Sequence, residues 1–142
     1  MYRKTESVCM FLAGGTIYTA IELMWRGYSH WSMTIAGGAC LLLIHRVNSL
    51  LKYRRGIAGF AAKCAVCAVG ITAVEFIFGV VFNIILRLDV WDYSAVRGNI
   101  LGQICPQYTA AWFALSAAAL KLSDAISAFF RFIERREMIT TT

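Results

Sequence analysis

The chain has 142 residues, enough for one domain, and 59% of them are apolar, whereas soluble domains average about 45–50%. Only 15% are charged, so polar side chains are too few to cover a water-soluble core, which excludes a soluble globular domain. The net charge of +6 comes from basic residues at the ends of apolar segments. No aromatic residues alternate with them to stack on bases, so we expect no nucleic-acid partner.

Four apolar segments each approach the length of about 20 residues that a helix needs to cross a bilayer. They cover approximately residues 8–25, 31–51, 64–86 and 100–122. The sequence therefore predicts an all-α, polytopic membrane protein whose four transmembrane helices contact the lipid bilayer. We place this transmembrane domain at residues 1–122.

The first span carries an acidic residue, Glu22, in the segment TAIEL. Arg26 lies four residues further on, which is the spacing of a helical ion pair. Because both residues lie close to the end of the span, a structural role for this pair is the favoured interpretation.

The third span carries a second acid, Glu75, near its middle, roughly 16 Å from its start at a helical rise of about 1.5 Å per residue. Gly79 and Asn83 continue the same helix face at i+4 and i+8. An intramembrane acid is costly and indicates by default an ion or proton pathway or a substrate site. The alternative is that such groups form hydrogen bonds between helices and determine their packing.

The fourth span contains Gln103 and Pro106. Proline has no backbone N–H and disrupts a helix interior, so we expect a kink or break around Gln103. Two groups of candidate site residues follow from these patterns. The polar intramembrane site comprises Glu75, Asn83, Glu22, Arg26 and Gln103. The outer-loop cap comprises His30, Trp31, Trp91, Asp92, Tyr93 and Asn99.

Residues 123–142 are predicted to form a cytoplasmic amphipathic helix and tail. Ile126, Phe129, Phe130 and Ile133 follow the i, i+3, i+4, i+7 pattern of an apolar helix face, and charged residues take the opposite face. This pattern is typical of a helix on the membrane surface. A docking surface for a partner protein is the alternative.

The two acidic segments also suggest an internal repeat. TAIEL at residues 19–23 aligns with TAVEF at residues 72–76, which places the first span on the third. With two helices per unit, the sequence predicts a parallel repeat related by an axis along the membrane normal.

The distribution of basic residues predicts the orientation. Of the 14 Lys and Arg residues, only Arg26, Arg87 and Arg97 would lie on one side of the membrane. Cytoplasmic loops are rich in Lys and Arg, so both termini and the loop at residues 45–63 are expected to be cytoplasmic.

No pattern in the chain indicates catalysis or metal binding. Cys64 and Cys67 have the spacing of a metal or redox pair, but no second pair or nearby histidine completes a site, so we interpret them as small buried apolar residues. No nucleophile motif and no phosphate-binding loop is present. We therefore expect no enzyme activity and no cofactor, and an ATP-driven role would need a separate ATP-hydrolysing subunit.

Four stretches carry a family resemblance: GGTIYTAIELMWRGYSHWSMTIAGG, VEFIFGVVFN, VWDYS and GNILGQICPQYTAAW. Together they resemble the bacterial family described as "Putative ABC-transporter type IV", or ABC transporter permease, over approximately residues 12–116. The resemblance implies a small multi-pass protein of the bacterial plasma membrane with a role in transport.

Two functions follow as hypotheses. The first is a permease-like component of a transporter with a polar intramembrane interior, in which homo-oligomers or partner subunits complete a pathway that four helices are too few to enclose. The alternative is a non-transporting membrane scaffold or regulatory subunit, in which the same polar residues only hold the helices together.

Overall fold

Four long helices make up a computed structural model of the protein, which describes residues 2–140 and the side chains of residues 4–137. They are α1 (Tyr2–Arg26), α2 (Trp31–Leu50), α3 (Gly56–Phe78) and α4 (Pro106–Thr140), and a π-helical segment, Gly79–Ile85, continues α3. All four are long and apolar enough to cross a membrane. The predicted all-α, four-helix membrane fold is confirmed.

The helix bounds differ from the predicted spans at three places. α1 begins at Tyr2, and α3 begins at Gly56, where only Cys64 onward was predicted. α4 begins at Pro106, and residues 100–105 form a tight loop with an isolated bridge between Ile100 and Ile104. The kink or break expected around Gln103 is therefore a break: residues 100–105 are not helical, and Pro106 starts α4, because proline at the first position of a helix needs no N–H partner.

The predicted C-terminal amphipathic helix is the continuation of α4. α4 has 35 residues, which gives a length of about 52 Å at about 1.5 Å per residue. The helix is therefore longer than the hydrocarbon layer of a bilayer, which is about 30 Å thick. In this part of the helix Phe130 is buried and Ile126 packs against the core, whereas Phe129 and Arg131 are exposed. Met1, Thr141 and Thr142, which the predicted segments 1–122 and 123–142 include, lie outside the described residues.

The hairpin of α1 and α2 depends on glycines at the contact. A Cβ atom at Gly14 would lie 2.5 Å from the carbonyl oxygen of Gly37, so only glycine allows the two backbones to approach so closely. Closer to the connection between the two helices, the hydroxyl groups of Thr19 and Thr34 share a hydrogen bond of 2.7 Å.

The bundle has two ends with different character. At one end, which we call the basic end, α1 and α3 begin and α2 ends. We call the opposite end the loop end. The loop end carries the short connection at residues 27–30 and the long loop, residues 86–105. Toward the basic end, a core cluster combines side chains of all four helices: Met10, Leu41, Ile44, Cys64, Cys67, Ile71 and Leu120. Toward the loop end, Val90 and Trp91 of the long loop pack on Met33 and Ala36 of α2, so the long loop forms part of the core.

Candidate functional site at the loop end

Asn83 of the π-helical segment anchors the long loop. Its side chain is buried and donates from Nδ2 to the Trp91 carbonyl oxygen at 2.9 Å and to Gln103 Oε1 at 2.7 Å. Its Oδ1 accepts from the Val90 N–H at 2.7 Å. The wider turn of a π-helix is often found at functional sites. Here Asn83 satisfies two backbone groups of a buried, irregular segment.

Gln103 is the second anchor of the long loop. Its side chain bridges Asn83 and the Leu101 carbonyl oxygen, and its own carbonyl accepts from Trp91 Nε1 at 3.0 Å. A Cβ atom at position 79 would lie 2.5 Å from Gln103 Oε1. Gly79 is therefore required for Gln103 to reach across the end of α3.

The long loop keeps a backbone conformation that is unfavourable locally. Leu101 has φ 53°, a left-handed conformation that costs about 1–2 kcal/mol for a residue other than glycine. Asn99 Oδ1 accepts from the Gly102 N–H at 2.9 Å, which holds the turn. Asp92 Oδ1 accepts from the Ser94 hydroxyl and from its N–H, and these hydrogen bonds lower the pKa of Asp92.

Glu75 connects α3 to both the long loop and α4. The carboxyl group is buried, and its two oxygens accept from different groups. The Tyr93 hydroxyl donates to Oε1 at 3.0 Å, and Trp112 Nε1 donates to Oε2 at 3.0 Å. A movement of the long loop or of α4 would therefore change the hydrogen bonding of this acid.

The Tyr93 phenol gives a test of this arrangement. Burial raises its pKa, and the neighbouring Glu75 carboxyl raises it further. Because the folded pKa lies above the unfolded value of about 10, the stability that Tyr93 contributes is present below pH 10 and is lost as the pH rises above it. The free energy of unfolding should therefore fall less steeply between pH 9 and 11 in Tyr93→Phe than in the wild type. Chemical denaturation at each pH measures this free energy. The same dependence on pH in both proteins would contradict the buried position of this phenol.

Glu22 makes the corresponding connection at the end of α1. It forms an ion pair with Arg26, as the i, i+4 spacing predicts, and its Oε2 accepts from Ser29 Oγ at 2.7 Å. Arg26 Nη1 also donates to the Val90 carbonyl oxygen at 3.1 Å. The pair thus ties α1 to both connections at the loop end.

An aromatic cavity of about 360 Å³ lies between α1 and α4, next to both acids. Its lining includes Tyr18, Trp25, Trp91, Tyr93, Tyr108 and Trp112, together with Glu22 and Arg26. Tyr93 and Tyr108 stack with their ring centroids 4.4 Å apart. Tyr18 and Trp112 also line an apolar slot of about 300 Å³ that continues between the same two helices. The two spaces also share Ile21 and Leu115 in their linings, so they adjoin each other, and together we call them the cleft.

Comparison with known proteins gives one match. The chain matches the sequence model of the family described as "Putative ABC-transporter type IV" over residues 32–142. The chain belongs to this family. Together with its four apolar helices, membership makes it an ABC-transporter-related, multi-pass membrane protein. Among curated proteins and among solved structures, no match is found.

The family match covers α2 to α4, and so includes Glu75 and its two donors. The predicted polar residues fall into two groups within the fold. Glu22 and Arg26 line the aromatic cavity, and Glu75 lies behind the Tyr93 and Trp112 side chains that line it. Asn83 and Gln103 are not brought into the cavity but hold the long loop.

The predicted outer-loop cap also divides. Trp91 and Tyr93 line the aromatic cavity, whereas Asp92 and Asn99 shape the turns of the long loop. His30 and Trp31 lie at the start of α2. His30 Nδ1 accepts from the Ser32 N–H and caps the helix, and the Trp31 ring packs edge-on against Phe82 with a centroid distance of 5.5 Å.

Sequence reasoning missed Trp112 and Tyr108 as members of this site. Both are aromatic residues in an apolar span, where packing against other apolar groups is the ordinary expectation. The indole N–H of Trp112 was the available signal, since a buried Trp N–H usually finds an acceptor, and Glu75 was an acid in need of a donor.

Proposed function

We propose that this family member is a permease-like component of an ABC-type transporter that binds the transported molecule in the cleft between α1 and α4. The observation that carries the proposal is the aromatic cavity of about 360 Å³ beside two buried acids. Sites for small molecules have volumes of roughly 300–1,000 Å³ and combine an apolar lining with a few polar groups. This cavity has both properties.

The contacts of Glu75 support a link between binding and movement. A molecule in the aromatic cavity would touch Tyr93 and Trp112, the two residues that hydrogen-bond Glu75. Displacing either ring removes a donor from the buried acid. Occupancy of the cavity would thereby alter both the long loop and the packing of α4, which is the kind of coupling that a transport cycle needs.

The assembly that we propose follows from the charge distribution and the size of the bundle. The basic end would face the cytoplasm of a bacterial cell, with the protein in the plasma membrane. There it would contact a separate ATP-hydrolysing subunit. The cleft is open on one side between α1 and α4, where Ile21 and Trp25 are exposed, so a second copy or a partner would close the pathway.

One observation favours the alternative of a non-transporting scaffold or regulatory subunit. Within the described residues, no buried side-chain nitrogen or oxygen lacks a hydrogen-bond partner. Polar groups that are fully satisfied by one another serve to specify helix packing. In that role, Glu75 would matter for stability and its proton would not.

The experiment begins with purification of the tagged protein from its native membranes in a mild detergent. We expect a stoichiometric ATP-hydrolysing subunit to remain bound. Glu75→Gln keeps the shape of the side chain and one acceptor oxygen but cannot titrate. It should retain the complex and nearly the wild-type melting temperature, and it should reduce ATP hydrolysis by the complex about tenfold.

Two further variants separate the candidates. Glu134→Gln makes the same change near the C-terminal end of α4, at a partly exposed residue that lines neither cavity, and should leave ATP hydrolysis unaltered. Glu75→Ala removes both acceptors and should lower the melting temperature. Purification without any ATP-hydrolysing subunit would contradict the transporter proposal. Wild-type ATP hydrolysis in Glu75→Gln with instability only in Glu75→Ala would support the scaffold.

A further inference from the structure

A second cavity, of about 990 Å³, lies at the basic end of the bundle. All four helices contribute to its lining. Lys4 comes from the first turn of α1, Arg46 from the end of α2, Lys63 from α3 and Arg131 from α4. We call this space the basic cavity. It is distant from the aromatic cavity in the fold and shares no lining residue with it.

The two acids of the basic cavity are already hydrogen-bonded to neutral donors. Glu6 Oε1 accepts from Ser127 Oγ at 2.6 Å and lies 4.0 Å from His45 Nε2. Asp124 Oδ1 accepts from Asn48 Nδ2 at 2.7 Å. Neither acid pairs with a lysine or an arginine among the described residues. The carboxylates therefore stabilise the helix contacts, and two of them are too few to compensate the five cations of the lining.

The cations of the lining are accordingly available to an anion. Lys63 Nζ donates to Asn48 Oδ1 at 2.8 Å, and Lys52 Nζ lies 5.0 Å from the centroid of the Tyr53 ring. Lys4, Arg46 and Arg131 form no ion pair within the described part of the chain. The lining has five cations and two acids, Glu6 and Asp124, so the formal charge of its lysines, arginines and acids is +3 (5 − 2).

Like charges around one concave space repel one another, and a bound anion removes that repulsion. Guanidinium groups bind phosphate oxygens through paired hydrogen bonds, and basic pockets between transmembrane helices bind anionic headgroups. The volume accommodates a phosphate together with the groups esterified to it.

We infer that the basic cavity is a phosphate-binding site, occupied by the headgroup of an anionic lipid or by a soluble phosphate compound. The site does not depend on the proposed transport function. Because its lining comes from all four helices, a bound phosphate would connect them and stabilise the folded bundle.

The test uses the purified full-length protein in neutral detergent micelles. Three probes are added separately: phosphatidylglycerol, phosphatidylcholine and inorganic pyrophosphate. Thermal unfolding measures stabilisation, and native mass spectrometry measures the number of bound lipids. We expect phosphatidylglycerol or pyrophosphate to raise the melting temperature with a stoichiometry of about one, and phosphatidylcholine to have no effect because its headgroup has no net charge. A response to pyrophosphate identifies a soluble phosphate compound, and a response to phosphatidylglycerol alone identifies a lipid.

The chain offers a matched pair of variants. Arg46→Gln with Arg131→Gln removes two cations from the lining and should weaken binding at least tenfold. Arg54→Gln with Arg55→Gln removes the same charge from the same end of the bundle, at residues that do not line the cavity, and should bind as the wild type does. Lys4→Gln removes a third cation of the lining, at an exposed position in the first turn of α1, and should also weaken binding.

Three outcomes would overturn the inference. No stabilisation of the wild type by either anionic probe would show that the cavity does not bind phosphate. An equal loss in both double variants would show attraction by diffuse surface charge. Binding of polyglutamate that depends on Arg46 and Arg131, with no response to phosphate, would identify the basic cavity as a contact for an acidic partner protein instead.

Discussion

Replacing Asn83 by alanine is expected to lower the free energy of unfolding by about 3–4 kcal/mol. The substitution leaves three buried groups without a partner: the Val90 N–H, the Trp91 carbonyl oxygen and the side-chain oxygen of Gln103. A buried polar group that loses its partner costs about 1–3 kcal/mol. The long loop has little regular structure to hold it otherwise, so its separation from α2 should accompany the loss.

Asn99→Ala is the matched control for this prediction. Asn99 also makes three hydrogen bonds, to Ser94, Val96 and Gly102, but it is only partly buried, within the loop itself. Water can replace its contacts, so the expected cost is about 1 kcal/mol or less. Chemical denaturation in detergent measures both variants, and hydrogen exchange at the Val90 amide reports the local opening. Equal costs for the two variants would show that Asn83 does not anchor the loop.

The fold was predictable because each of its main features is local in sequence. A helix that crosses a membrane needs a continuous apolar run, and all four runs are present. The pair of Glu22 and Arg26 follows from helical spacing alone. The ends of the helices were less predictable, since apolar residues such as Ile100 and Leu101, which are exposed in the long loop, do not distinguish a loop from a span.

Only those residues of the site that share one helix face were predictable as a group. Helical periodicity places Glu75, Gly79 and Asn83 on one face, and all three are buried. Their partners are far away in sequence. Trp112 is 37 residues from Glu75, and Gln103 is 20 residues from Asn83, so only the folded loop brings them together.

The conformation of the long loop has no signal in the sequence. Leu101 adopts a positive φ that its residue type disfavours, and the hydrogen bonds of Asn99 and Gln103 maintain it. The π-helical segment is likewise not indicated by any pattern of apolar residues. Neither feature follows from the intrinsic propensity of its residues. The turn at Leu101 is held by side-chain hydrogen bonds of neighbouring residues, and the π-helical segment carries Asn83, whose partners lie in the long loop.

The glycines between α1 and α2 determine where the wall of the cleft lies. A Cβ atom at Gly37 would overlap the Cβ of Tyr18, and Tyr18 lines both the aromatic cavity and the apolar slot. The distance between the two helices therefore determines the position of this ring. A variant that separates the hairpin should alter the cleft as well as the stability.

Gly14→Ala should destabilise the protein by about 3 kcal/mol, at the upper end of the usual cost of overpacking. The added Cβ would lie 2.5 Å from the Gly37 carbonyl oxygen and 2.6 Å from the Leu41 Cβ. Neither atom can move without a shift of α2, since one belongs to its backbone and the other is attached to it directly.

Gly70→Ala separates this effect from that of alanine itself. Both positions lie inside a helix, so both substitutions gain the same helix propensity, about 1 kcal/mol. At Gly70 the nearest atoms are the methyl groups of Leu43, at 2.8 and 3.0 Å, which can rotate away. We expect a change within about 1 kcal/mol there. Thermal unfolding of both variants, together with quenching of tryptophan fluorescence from the cleft, measures the difference. Similar melting temperatures for the two would mean that α1 and α2 can separate freely, and that Tyr18 is not held in place by their contact.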